Sequence, residues 1–268
     1  MDFEVELWHL VILGPISALV GLVGGMTGLA LGTLRLPFLV ALGFPPALAA
    51  GTNIGVSALG ALGGSVRHIQ ERRVIPRLVV VVGIPSVLGA FLGGYYGGLV
   101  SGGLILLTVA GLIAWSGGSM LYQVRRRTAV ATSGVEMEEG LPSFDAVRVG
   151  AEMAVGGGIG LLGGAVGLVL GTLRLPAMIQ ILRIGPHRAA GTNLVVGFAV
   201  GVFGFGGHLL RNEVNFTTWA VMGTAALVGS YVGARQTGRL SDRSLRLTIG
   251  VILSVMSVIM LYQAVREL

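Results

Sequence analysis

Long uncharged runs alternate with short charged ones along this chain. No formally charged residue lies between Glu6 and Arg35, from Leu36 to Val66, or from Leu78 to Val124. After a polar stretch the uncharged runs resume at Met153–Leu173, Ala189–Leu210, Val214–Ala234 and Leu247–Val265. A helix needs about 20 apolar residues to cross a bilayer core, and lipid offers no partner to the open edge of a sheet. The pattern therefore predicts an all-α, polytopic transmembrane helical bundle. The run from Leu78 to Val124 holds two helices, split near Gly97, Gly98 and Ser101–Gly103. The first half is expected to have segments at about 7–30, 33–44, 46–66, 77–97 and 102–123. The second half has them at about 149–170, 172–184, 187–208, 215–236 and 244–264. The second segment of each half is short and carries Pro37 or Pro176, so it is expected to be bent, broken or only partly membrane-crossing.

The two halves are copies. Residues 21–37 read GLVGGMTGLALGTLRLP and residues 160–176 read GLLGGAVGLVLGTLRLP, identical at 13 of 17 positions. The pentapeptide AAGTN recurs at 49–53 and 189–193, His68 aligns with His208, and Leu121-Tyr122-Gln123 aligns with Leu261-Tyr262-Gln263. Such a match marks an internal duplication. The expected division is a first transmembrane repeat at 1–124, a cytoplasmic linker at 125–147 and a second transmembrane repeat at 148–268.

Charge orients the copies. All 18 basic residues are arginines. With the linker inside and five crossing segments per half, only Arg174, Arg211 and Arg266 fall outside. If the short segments do not reverse the chain, the arginines divide 10 to 8. Basic loops concentrate on the cytoplasmic side, which favours five segments per half. An odd number makes the halves an inverted repeat, the architecture of secondary transporters. The expected location is the cytoplasmic membrane, with multiple passes.

Composition agrees. Of the 268 residues, 53% are hydrophobic and 11% charged, against about 25% charged in a soluble domain. The net charge of +6 is scattered between apolar runs, so it reads as membrane orientation rather than nucleic-acid binding. Met1 to Glu6 is acidic, where a cleavable signal peptide would be basic. Without cysteine the chain can form no disulfide, thiolate nucleophile or iron–sulfur cluster. The four histidines are scattered and suggest no metal site. No hydrolase motif is present, so neither a cofactor nor an enzymatic activity is expected.

The duplicated polar and glycine positions are the candidate substrate-binding residues. Gly24 and Gly25, with copies Gly163 and Gly164, permit either close helix packing or a broken helix whose amides meet a solute. Thr33 and Thr172 follow in the shared Gly-Thr-Leu-Arg-Leu-Pro block. Gly51-Thr52-Asn53 and Gly191-Thr192-Asn193 each follow a proline turn and are expected to open a long helix, where free N–H groups and neutral side-chain donors suit an anion. Arg35 and Arg174 are expected to snorkel to headgroups or to attract an anion at the mouths. His68 and His208 lie at helix ends and are expected to be structural. No Asp or Glu lies deep in a span, the nearest being Glu152, so the site should prefer anions to cations.

The doubled pattern resembles the sulfite exporter TauE/SafE family of membrane permeases. The residues carrying it are Gly24-Gly25 through Pro37, Ala50-Gly51-Thr52-Asn53 and their second copies, so the resemblance covers almost the whole chain outside the linker. The family often has Ser after Gly-Thr, where Asn53 and Asn193 stand here. The resemblance implies a permease that moves sulfite, a sulfonate or a related small sulfur-containing anion across the cytoplasmic membrane, with export the expected direction. Alternating access of the two halves is the expected mechanism. The partners are then a small anionic solute and lipid, with self-association left open. An anion channel and a non-transporting membrane scaffold are the competing classes.

Overall fold

The computed structural model describes residues 5–96, 102–129, 146–166 and 171–267. The expected split near residues 97–101 and most of the expected linker, residues 130–145, lie outside the described residues. Among those described are ten helices and no strand. They are α1 (Leu7–Thr27), α2 (Gly32–Ala41), α3 (Pro46–Gln70), α4 (Pro76–Tyr96), α5 (Gly102–Ala129), α6 (Ala146–Val166), α7 (Gly171–Gln180), α8 (Pro186–Leu210), α9 (Phe216–Thr237) and α10 (Asp242–Glu267). The chain is all-α, as expected, and the short second segments are ten-residue helices in both halves.

Local chemistry sets the helix ends. Pro46 and Pro186 occupy the first turn of α3 and α8, where a missing N–H costs nothing. Asn215 caps α9 by accepting a bond from the Thr218 amide at 2.9 Å. Gly28 ends α1 in the left-handed conformation, φ 77°, which glycine adopts without a Cβ clash.

Small residues bring the helices together. Gly14, Gly21 and Gly25 of α1 lie against Val221, Ala226 and Ser230 of α9, in the same order along both helices, so this pair is parallel. A Cβ on Gly21 or Gly25 would overlap α9 backbone. The repeat-related contact joins α4 to α6, where Gly156 and Gly160 meet the backbone of Val82 and Ser86, again in parallel. Between α3 and α8 the order reverses. Gly51 lies against His208, Gly201 against Ala58 and Gly64 against Leu194, so these helices are antiparallel. Bilayer interior adds little hydrophobic drive between helices, and close backbone approach is the usual substitute.

The connections gather at two ends. At one end, Arg73 Nη1 donates to the Ala234 carbonyl at 3.0 Å. There His187 also pairs with Asp242 at 2.8 Å, and Glu71 sits between Arg67 and Arg73. At the other end, His208 meets Glu213 at 2.6 Å and the Asn215 amide reaches into α3.

Candidate functional site

The centre of the bundle is built on one described break and on two short helices. Residues 28–31 leave α1 without helical structure, and Leu29, Ala30 and Leu31 are all buried. A Cβ on Gly28 would overlap Ala190 of α8, so this turn requires glycine for space as well as for its φ. The helix that follows, α2, has ten residues and is about 15 Å long, half of a roughly 30 Å hydrocarbon core. Its repeat counterpart α7 has the same length. The two meet near the middle: a Cβ on Gly171 would lie 3.6 Å from the Ala30 nitrogen. Residues 167–170, which precede α7 and include Gly167, are outside the described set.

Asn53 and Asn193 hold these segments. Asn53 Nδ2 donates to the Gly32 carbonyl at 2.9 Å. Asn193 Nδ2 donates to the Gly171 carbonyl at 3.1 Å and to the Gly28 carbonyl at 2.7 Å, tying α7 and the turn after α1 to one side chain. The amides of a helix's first turn have no partner within that helix and carry partial positive charge. Here such a turn belongs to α2, whose first residues Gly32 and Thr33 are buried.

The arginines are the main departure from expectation. They do not snorkel: Arg35 is 2% exposed and Arg174 1%. Arg35 Nη2 donates to Ser57 Oγ at 2.8 Å, and its Nε has no partner. Arg174 Nε donates to Asn193 Oδ1 at 2.8 Å and Nη2 to the Asn193 carbonyl at 3.3 Å. Neither forms an ion pair among the described residues. A buried charge without a counter-charge is costly, and a guanidinium edge is shaped to receive two oxygens of an oxyanion. Beside Arg35 lies a cavity in which the centre of a water molecule can move through about 10 Å³, room for about one water. Gly24, Leu29–Leu31, Ser57, Leu194 and Ser230 line it with Arg35.

Other candidates serve elsewhere. Gly51-Thr52-Asn53 does not open α3. Pro46 takes that place, so the motif lies more than a turn inside, where its amides belong to the helical ladder. Gly191-Thr192-Asn193 is displaced in the same way by Pro186. Gly51 and Gly191 are contact points, each 3.0 Å (measured from a built Cβ) from the Cβ of His208 or His68. Thr52 Oγ1 accepts the Asn215 amide at 2.9 Å, and Thr192 Oγ1 accepts the Ile75 amide at 3.0 Å. Each threonine thus pins a loop of the opposite repeat. Thr33 Oγ1 faces Met256 Sδ at 3.7 Å, and buried Thr172 Oγ1 has no partner. Gly25 packs on Ser230, and its carbonyl lies 3.2 Å from His68 Nε2. Gly163 is buried in α6, as Gly24 is in α1, and Gly164 lies in the same helix.

Three features were missed. Ser57 and Ser230 lie outside the repeated motifs, so repetition could not flag them. Glu152 was expected at the edge of a span but is 0% exposed and pairs with Arg77 at 2.9 Å, joining α4 to α6. Among the described residues no group of His, Cys, Asp or Glu could hold a metal.

The family described as "Sulfite exporter TauE/SafE" matches residues 13–260, and the chain belongs to that family. It is 22% identical over 269 residues to "Probable membrane transporter protein YunE" of Bacillus subtilis (strain 168), covering 96% of this chain and 97% of that protein. No solved structure matches the chain. Among the described residues, Leu7–Thr27, Pro186–Leu210 and Asp242–Tyr262 are each long and apolar enough to cross a membrane. The protein is a multi-pass membrane permease of a transporter family.

Proposed function

We propose that this permease carries a small sulfur-containing oxyanion, sulfite or a sulfonate, outward across the cytoplasmic membrane by alternating access of two inverted halves. One observation carries the choice of an anion: Arg35 is buried beside the break at residues 28–31, with no carboxylate partner among the described residues and its Nε unpartnered. Two interrupted segments at matching positions in a repeat are how many secondary carriers frame a midplane site.

Inversion is supported by the antiparallel contact of α3 with its own counterpart α8. Repeat-related helices that meet antiparallel are what a two-fold axis in the membrane plane would produce. The positive-inside tendency assigns the end holding Arg67, Arg73 and His187 to the cytoplasm, and the proposed repeats, 1–124 and 148–268, are joined on that side. Residues 125–129 of the proposed linker continue α5, and 146–147 begin α6.

The test is flux in proteoliposomes loaded with radiolabelled sulfite. Saturable efflux accelerated by external sulfite supports the carrier. Unitary currents in planar bilayers would replace it with a channel. Absence of both with sulfite, methanesulfonate and sulfate would leave the scaffold reading.

A further inference from the structure

The two repeats do not present the same site. In the second repeat, Arg174 Nε is bonded to Asn193 Oδ1. In the first, the equivalent atoms are Arg35 Nε and Asn53 Oδ1, and both are buried without a partner. The bond that closes one half is open in the other. Arg35 instead leans on Ser57, whose repeat counterpart is Gly197. A Cβ on Gly197 would lie 3.4 Å from Arg174 Nη2, so the two guanidinium groups follow the same groove and differ in what lines it. Ser230, the second hydroxyl of the cavity, has Ala90 as its counterpart. Both cavity hydroxyls are therefore absent from the related positions of the other half.

From this asymmetry we infer that the chain holds one oxyanion, seated on the open edge of Arg35 between the hydroxyls of Ser57 and Ser230, while Arg174 is a locked structural partner of Asn193. The assignment rests on the anion-permease reading and narrows it from a symmetric pocket to one half-site. Its chemistry fits an anion with several oxygens. Arg35 Nε with an Nη offers two parallel N–H donors, which match two oxygens of one anion, and each serine adds a single donor. The α2 first turn, beginning at Gly32, adds partial positive charge. A halide has no pair of oxygens for this fork. The cavity admits about one water, so seating the anion displaces that water and moves the walls at Leu29, Leu31 and Leu194 outward.

The experiment is isothermal titration of the purified full chain in detergent, with sodium sulfite, methanesulfonate and chloride as probes. Expected are one sulfite per chain, weaker methanesulfonate and no heat with chloride. Ser57→Ala with Ser230→Ala should weaken sulfite at least tenfold. Arg35→Lys, which keeps the charge but loses the fork, should weaken it by a similar factor, while Arg174→Lys should stay within about twofold of the unaltered protein. Two sulfites per chain, or equal losses from the two lysine variants, would overturn the single-site assignment and leave the anion-permease reading standing. If none of these anions binds the unaltered protein, that reading fails and the assignment fails with it. The serine variants remove only hydroxyls, and thermal melting verifies that they are folded, so the test does not depend on arginine replacements that unfold.

Discussion

Thr192→Val separates a structural threonine from a ligand. Thr192 is 0% exposed, and its Oγ1 accepts the amide of Ile75, a residue 4% exposed at the start of α4. Valine has nearly the same shape, so no cavity opens, and the loss is the bond itself. A buried amide left unpaired costs about 1–3 kcal/mol in soluble proteins. Polar bonds between membrane helices average about 0.6 kcal/mol and reach about 1.7. The bond Thr192 makes to the Arg188 carbonyl at 2.7 Å adds little, because that carbonyl also serves the helical ladder. A loss of about 1–1.5 kcal/mol is expected. Thr52→Val should cost about half as much, because the Asn215 amide is only part-buried and water can replace the hydroxyl. The sites are far apart, so the double variant should lose about the sum.

The assay is reversible unfolding in mixed detergent–SDS micelles, alongside sulfite titration of the folded variants. Stability should fall in the order given, with sulfite affinity unchanged once folded. Unaltered stability with affinity reduced tenfold would refute the reasoning and return both threonines to the binding site.

Three further outcomes are expected. Glu152→Gln removes the negative charge from a partly buried pair with Arg77 and should destabilise by about 1–3 kcal/mol, while Glu152→Leu with Arg77→Thr, copying Leu13 and Thr217 of the other half, should recover most of that in the same micelle assay. Gly25→Ala drives a Cβ into the Ser230 backbone whereas Gly118→Ala meets nothing within 4 Å; the first should lower the melting temperature, and the second should leave it unchanged or raise it through helix propensity worth about 1 kcal/mol. The chain has no cysteine, so single cysteines at Arg72, Arg183 and Asn212 can be labelled from either side of sealed vesicles. Arg72 and Arg183 should react from one face and Asn212, the repeat equivalent of Arg72, from the other, and reaction of Arg72 and Asn212 from the same face would exclude inversion.

What the chain reveals before folding follows from which forces act locally. Helix positions were readable because the bilayer imposes a length and proline imposes a start. The segment expected at 46–66 is α3, Pro46–Gln70, and those expected at 33–44 and 172–184 are the ten-residue α2 and α7. The repeated Gly-Thr-Asn drew attention for its spelling, but its threonines act on amides 163 and 117 residues away, and no local rule reaches that far. Arg35 looked interfacial because its neighbours in sequence are leucines. Only the packing of α2 against α3, with Ser57 beneath the guanidinium, buries it. Duplication also misdirects in a specific way. A search for matching pairs emphasises what two halves share, and shared residues such as Asn53 and Asn193 are those that hold a pseudo-symmetric frame together. Ser57 against Gly197 and Ser230 against Ala90 are differences, and a solute bound at one point within such a frame is recognised where the symmetry fails.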